Sequence, residues 1–324
     1  MNDTSGYLRE IEQALSEVIS PQREPRGLYE PISYGLSMGG KRVRPFLMMM
    51  VYALFRPDGE HERILPAVRA IEVFHNFTLL HDDLMDNAPV RRGKPTVYMK
   101  WTPNTAILSG DAMLIEAYRQ LMGLPDKYFK VVYGEFTRMA LEVCEGQQLD
   151  MEFEQRDDVS EEEYIEMVRL KTACLIASSM KIGALLGGAS EADIDRIYRA
   201  GISLGIAFQL VDDYLDVYGE ADFGKNLGGD ILEEKKTWLL IRAQQIAVEQ
   251  GNTDFKEALR EQNPETKISK VTDIYNRYEV GLKLNQEVDR LTSKANSLLE
   301  SLSVKREVVQ PLILFVRAMT HRTK

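Results

Sequence analysis

FHNFTLLHDDLMDNAPVRRGKPTVY, residues 74 to 98, sets an apolar helical run directly against three carboxylates and two adjacent arginines. Asp82 and Asp86 are one helical turn apart, so their side chains share a face with Cβ atoms roughly 5–6 Å apart. Like charges at that spacing repel, and the repulsion is relieved if the pair holds divalent cations. Mg²⁺ suits such a pair, because it keeps several waters and takes only one or two carboxylates together with phosphate oxygens. Asp83 points about 100° round the helix from Asp82 and reads as a supporting group rather than a ligand.

The pattern returns far down the chain as Gln209-Leu-Val-Asp212-Asp213-Tyr-Leu-Asp216, again Asp-Asp-x-x-Asp inside an apolar helical pattern. Either copy alone reads as a solvated charged face, since surface aspartate is common. The repetition alters that balance, as do flanks such as Phe77, Leu80, Leu84 and Leu210, Val211, Leu215, which are too apolar for exposed helices. The carboxylates then sit at the edge of a cavity. Two such helices facing each other form an acidic mouth for several metal ions and, through them, a diphosphate.

Outward from these stretches the periodicity is helical nearly throughout. The spacing predicts a first helix through Leu8, Ile11, Leu15 and Val18 ending near Ser20-Pro21. Others follow at about 45–55, 64–85, 105–122, 127–154, 161–186, 191–217 and 231–249, and several lie between 268 and 319. Ser160 with Glu163 forms a capping-box pattern, and Gly187-Gly188 with Ser190 reads as a stop followed by a new N-cap. No stretch alternates convincingly enough for a strand. The expectation is one all-α domain over residues 1–324, without repeats or linkers: a helical bundle around a central cavity, with sites built from facing side chains.

Composition is that of a globular protein, with 324 residues, 44% hydrophobic and 28% charged, and the net charge of -10 argues against a nucleic-acid partner. No apolar run is long enough for a transmembrane segment, because the stretch from Thr172 to Ala189 is broken by Lys181. The N-terminus lacks a basic region followed by an apolar core, so no secretory signal is expected. Cys144 and Cys174 read as buried free thiols in a reducing cytoplasm.

Several basic groups complete the picture. Gly39-Gly40-Lys41-Arg42-Val43-Arg44-Pro45 is a basic loop entering a helix, where free N–H groups and the helix dipole favour an anion, although a solvated turn fits the same residues. Arg91 and Arg92 follow a loop with Pro89, near the acidic end of their helix, and arginine's planar fork suits phosphate. Lys171-Thr172 lies among small residues, where an unpaired buried lysine would be costly, so it faces a polar cavity. The glycine-rich segment from Tyr218 to Asp230 reads as a flexible lid.

With both acidic motifs, the Arg-Arg pair and the basic loop in this order, the sequence resembles the trans-isoprenyl diphosphate synthases, or polyprenyl synthetases, from about Gly39 to Lys236. The resemblance implies the isoprenoid synthase fold and a prenyltransferase of short-chain type. Such an enzyme condenses isopentenyl diphosphate with dimethylallyl, geranyl or farnesyl diphosphate. It also implies three Mg²⁺ ions on Asp82, Asp86 and Asp212 with help from Asp216, and a homodimer. Lys41, Arg44, His75 and Arg92 match contacts to isopentenyl diphosphate; Arg91, Lys171, Lys225 and Lys235 match contacts to the allylic diphosphate or its phosphates. Thr172 and Gln209 match polar atoms near the carbocation, Gln147 and Asp150 match site-lining residues, and Arg322 and Lys324 match a basic tail that closes the site. Many members have glycine where this chain has Glu234, a departure that bears on Lys235.

Product length is expected to depend on what blocks the tunnel beneath the first motif. Phe77, five residues before Asp82 with the small Thr78 beside it, points to a C15 or C20 product. Bacterial farnesyl-type members of the family it resembles usually carry two extra residues within the first motif, and their absence here, with one aromatic, leans to C20. Three rival readings compete with this one. A class I terpene cyclase needs no isopentenyl site and carries a different second motif. A His-Asp phosphohydrolase would need a histidine cluster that His61, His75, His81 and His321 do not form. A non-catalytic partner subunit would be expected to lack one acidic motif, and both are complete here.

Overall fold

Apolar residues line nearly every side of the helix that carries the first motif. Val68, Ile71, Phe74, Phe77 and Leu80 of α4 (Leu65–Met85) are all buried, which makes it a core helix rather than an amphipathic surface one. The computed structural model describes residues 4–18, 22–57, 60–219 and 227–321. These group into two compact units: residues 1–137 with 179–194, and residues 138–178 with 195–324.

The first unit holds α1 (Thr4–Ser16), α2 (Arg26–Ser37), α3 (Val43–Phe55), α4, a two-stranded hairpin of β1 (Val90–Arg91) and β2 (Lys94–Pro95), α5 (Val97–Lys100) and α6 (Pro103–Leu121). It also holds the start of α7 (Asp126–Glu154) and the end of α9 (Cys174–Gly187). Within it α4 packs chiefly on α6, with α3 and α1 beside it. The second unit contains the rest of α7, then α8 (Glu161–Val168), a π-helical turn (Arg169–Ala173) leading into α9, and most of α10 (Glu191–Tyr218). After these come α11 (Gly229–Leu232), α12 (Trp238–Glu249), α13 (Asp254–Leu259), α14 (Pro264–Arg277), α15 (Val280–Glu300) and α16 (Arg306–Thr320). Its core includes Leu210, Leu239, Ile241, Val271, Tyr275 and Leu284.

The all-α expectation holds, and Ser160 and Glu163 form the capping box in both directions. The structure departs from expectation in several places. The helix α2 is additional, because Gly27, Pro31 and Gly35 depress helix propensity where packing of Ile32 and Leu36 sustains it. The first helix ends at Ser16, short of the expected Ser20-Pro21. Strands do occur: Arg92 (φ 53°) and Gly93 (φ 73°) form a two-residue loop with both φ positive, the type I′ geometry that closes a hairpin. The run expected at 231–249 is two helices, split where Glu234 takes φ 51°. Cys174 is buried as expected, but Cys144 is exposed on α7. The run Glu161–Gly187 has the length and hydropathy of a membrane span, yet 78% of its most apolar window is buried inside the protein, as in a core helix.

Candidate active site

In the first unit the basic loop is pinned from beneath by a residue that the sequence pattern does not distinguish from its neighbours. Arg42, in the left-handed region at φ 47°, turns inward: its Nη1 donates to Glu72 on α4 at 2.8 Å, its Nε to Glu12 at 2.8 Å, and its Nη2 to the Leu36 carbonyl at 2.9 Å. Lys41 on one side is left exposed. Arg44 on the other side reaches α4, with Nη1 3.0 Å from His75 Nε2. Burial, and then the charges of Arg44, Arg92, Arg91 and Arg42, hold the His75 pKa well below its usual range. The imidazole is therefore neutral and accepts from Arg44 through Nε2.

His75 precedes Asp82 by seven residues, two helical turns, so both lie on nearly the same face of α4. Asp82 is half-buried and Asp86 exposed. Asp83, at 4% exposure, is buried and accepts from Arg91 Nε at 2.7 Å, which makes it a brace. Arg92, held by the hairpin loop, donates to the Gly39 carbonyl and lies over Gly40, where a Cβ would stand 2.7 Å from its Nη1. The first unit thus gathers Arg44, His75, Arg91, Arg92 and the carboxylates of Asp82, Asp83 and Asp86 around one end of α4.

In the second unit a cavity of about 100 Å³ is lined by Asp150, Tyr164, Lys171, Thr172, Gln209, Asp213, Asp230 and Lys235, among others. Lys171 Nζ lies 2.6 Å from Asp150, and Thr172 Oγ1 donates to Gln209 Oε1 at 3.3 Å. Gln147 is half-buried on α7 and is not part of this lining.

Asp213, the middle acid of the second motif, is a brace like Asp83. It accepts from Tyr164 at 2.5 Å, from Gln209 Nε2 at 3.2 Å, and from the Trp238 N–H at the start of α12 at 3.2 Å. Burial pushes its carboxyl up to about 7, and burial beside it drives the Tyr164 phenol well above its usual range. A folded Asp213 that keeps its proton to about pH 7, against about 4 when unfolded, stabilises the fold fully below about pH 4. That stabilisation is lost as pH rises through about 7. An asparagine side chain mimics the protonated acid without titrating, so Asp213→Asn is expected to be nearly as stable as wild type at pH 5 and to gain on it at pH 8. Asp213→Ala should cost about 1–3 kcal/mol at either pH, by stranding Tyr164 and the Trp238 N–H. Urea denaturation of the metal-free proteins at the two pH values checks both.

Asp212 is half-buried, and Asp216 accepts the Asp230 N–H at 3.0 Å, which ties the end of α10 to the first turn of α11. Lys235 is exposed, and its N–H donates to the Asp230 carbonyl at 3.0 Å. Glu234 holds the glycine-like φ of 51° and pairs with the buried Lys267 at 2.6 Å, so the backbone under Lys235 keeps the form that glycine would give. Lys225, within the expected lid, and Arg322 and Lys324 lie outside the described residues.

The donor set of both motifs is carboxylate oxygen, a hard ligand that suits Mg²⁺. Among the described residues no three His, Cys, Asp or Glu side chains converge into a cage. So small a set of carboxylates would suit an ion that keeps several of its own waters, as Mg²⁺ does.

Comparison with known proteins places similar sequences and structures beside this chain. The sequence profile described as polyprenyl synthetase matches residues 25–278. The chain is similar, at 34% identity over 100% of both sequences, to the geranylgeranyl diphosphate synthase of Sulfolobus acidocaldarius. A crystal structure of a geranylgeranyl pyrophosphate synthase matches it with a TM-score of 0.94 and 40% identity, covering 100% of both chains. The geranylgeranyl pyrophosphate synthase of Corynebacterium glutamicum, complexed with isoprenyl diphosphate and magnesium, matches with a TM-score of 0.89 and 27% identity, covering 99% of each.

Proposed function

The chain belongs to the polyprenyl synthetase family, and on that premise we propose that it is a prenyltransferase joining isopentenyl diphosphate head-to-tail to an allylic diphosphate, giving a short all-trans prenyl diphosphate. The observation that carries this reading is the full-length match to a geranylgeranyl diphosphate synthase, in a chain that has both acidic motifs and their basic neighbours.

Asp82, Asp86, Asp212 and Asp216 would hold three Mg²⁺ ions, which supply positive charge to the allylic diphosphate. Arg91, Lys171, Lys225 and Lys235 donate to the same phosphates, and their charge offsets the negative charge that grows on the leaving group as the allylic C–O bond breaks. The oxygens of Thr172 and Gln209 lie beside the cation so formed. Lys41, Arg44, His75 and Arg92 hold isopentenyl diphosphate. His75 is neutral and accepts one Arg44 N–H, a contact that holds the guanidinium in place. The isopentenyl double bond attacks the allylic carbon, one C–C bond forms, and a proton then leaves to the departed diphosphate; exclusion of water protects the cation meanwhile.

The test is direct: purified protein, Mg²⁺, labelled isopentenyl diphosphate and each of the dimethylallyl, geranyl and farnesyl starters in turn, with products sized by chromatography. Incorporation that disappears with a chelator supports the reading. Conversion of an allylic diphosphate alone, without incorporation, would instead indicate a cyclase.

Product length falls at C15 to C20, leaning to C20. Phe77 supports this, being buried and packed between Phe74, at 5.5 Å between ring centroids, and His81, at 4.8 Å, with Thr78 beside it as the small neighbour. Phe77→Ala is expected to shift the main product at least one C5 unit longer, and an unchanged length would remove Phe77 as the floor.

The whole chain serves as one synthase domain and pairs as a homodimer. Supporting the dimer, Leu108 and Ile115 of α6 and Met122 at its C-terminal cap are 60%, 70% and 75% exposed. Seven-residue spacing places them on one face. A cytoplasmic setting accords with Cys144 and Cys174 forming no disulfide among the described residues.

A further inference from the structure

We infer that Gly146 and Gly205 are positioning residues that clamp the π-helical turn Arg169–Ala173 and so aim Lys171 and Thr172 into the cavity. A π turn widens the helix and weakens its hydrogen bonding, and it persists where neighbours enforce it. Here the Cys174 N–H donates to the Arg169 carbonyl, five residues back, and the buried Cys174 thiol takes up the Leu170 carbonyl at 2.8 Å.

Two helices press on the turn at backbone distance. A Cβ on Gly146 of α7 would stand 2.3 Å from the Lys171 nitrogen and 2.7 Å from its Cα. A Cβ on Gly205 of α10 would stand 2.4 Å from the Ala173 Cα. Each glycine is followed four residues later, on the same helix face, by the side chain that holds the turn's functional group. Gly146 is followed by Asp150, 2.6 Å from Lys171 Nζ, and Gly205 by Gln209, 3.3 Å from Thr172 Oγ1. Each helix therefore touches the turn twice, once at its backbone and once at the side chain it displays. If either backbone contact opens, the paired side-chain contact loses its register.

Ordinary contact begins near 3.4 Å, so alanine at 146 or 205 forces a backbone separation of about 1 Å. A misplacement of that size costs up to about 10²-fold in a positioned reaction. Gly201→Ala is the control. It meets α9 one turn further on, where its Cβ would lie 2.5 Å from the Ala177 Cα, so it brings the same packing insult away from the turn.

The inference rests on the proposed function only for what Lys171 and Thr172 act upon. Three readouts are taken on full-length wild type, G146A, G205A and G201A. These are the melting temperature, the rate at which Lys171 is acetylated in ligand-free protein, read by mass spectrometry, and the separate KM values for allylic and isopentenyl diphosphate with kcat. All three variants should melt lower. G146A and G205A alone should lose roughly 10–100-fold in kcat/KM for the allylic substrate with the isopentenyl KM little changed, and G146A should label Lys171 faster than wild type. G146A and G205A matching G201A in labelling and kinetics would overturn the clamp. So would failure of both to fold where G201A folds, since the glycines would then serve the fold alone. Labelling needs no substrate, so it judges the clamp even if wild type makes no prenyl product, an outcome that would sink only the proposed function.

Discussion

Alanine at Asp82 is expected to lower turnover by about 10³-fold while leaving the protein as stable as before or slightly more so. Asp82 and Asp86 stand one turn apart at the C-terminal end of α4, where the helix dipole is negative and like charges repel. The helix dipole and the mutual repulsion both oppose two carboxylates there, and deleting one relieves a repulsion worth a few tenths of a kcal/mol. The loss falls instead on catalysis. Charge stabilisation by a bound divalent ion is worth several kcal/mol, and about 4 kcal/mol is about 10³-fold in rate. Asp83→Ala should show the reverse balance, because it strips Arg91 of its buried partner: a clear drop in melting temperature, with a smaller loss of rate. Steady-state rates across Mg²⁺ concentration, together with thermal melts, separate the two. A D82A enzyme within tenfold of wild type would show that Asp82 is not a metal ligand.

Arg42→Met should be the most damaging single change to the fold of the first unit. It leaves Glu72, itself 3% exposed, facing a vacated site beside the Asn76 amide, which donates to it at 3.3 Å. Breaking one side of a buried pair costs about 3–5 kcal/mol, or roughly 4–7 °C for a chain of this size. The same change releases the loop between Gly39 and Val43, so Lys41 and Arg44 lose their placement and the isopentenyl KM should rise. Adding Glu72→Gln should recover part of the stability by removing the stranded charge. Calorimetry on the single and double variants decides it, and an R42M protein melting within about 2 °C of wild type would show the pair to be dispensable.

Long apolar periodicity made α4, α7 and α10 legible in the sequence, with ends near those observed. The acidic ends of α4 and α10 were legible too, because charge inside an apolar pattern stands out. What stayed hidden depended on three-dimensional context. Arg42 looks like its basic neighbours Lys41 and Arg44, and only the left-handed backbone at residue 42 turns it inward. Asp213 differs from Asp212 by one position, and the 100° step between them decides which acid faces Tyr164. Tyr164, seven residues before Lys171, carries no local mark that separates it from an ordinary core aromatic. The hairpin was missed because its strands are two residues long, too short to alternate, although an Arg-Gly loop was its one local sign. The π turn leaves no mark in periodicity, and its trace is glycine four residues before Asp150 and before Gln209.

The bond between Glu234 and Lys267 ties a backbone angle to a distant side chain. Glycine at 234 would relax the dihedral yet leave the ammonium of residue 267, only 8% accessible, without its counter-ion. Substituting 267 alone would keep an awkward torsion with no compensating attraction. The two sites are therefore free to drift only in concert, and the turn beneath Lys235 inherits its shape from a residue on another helix.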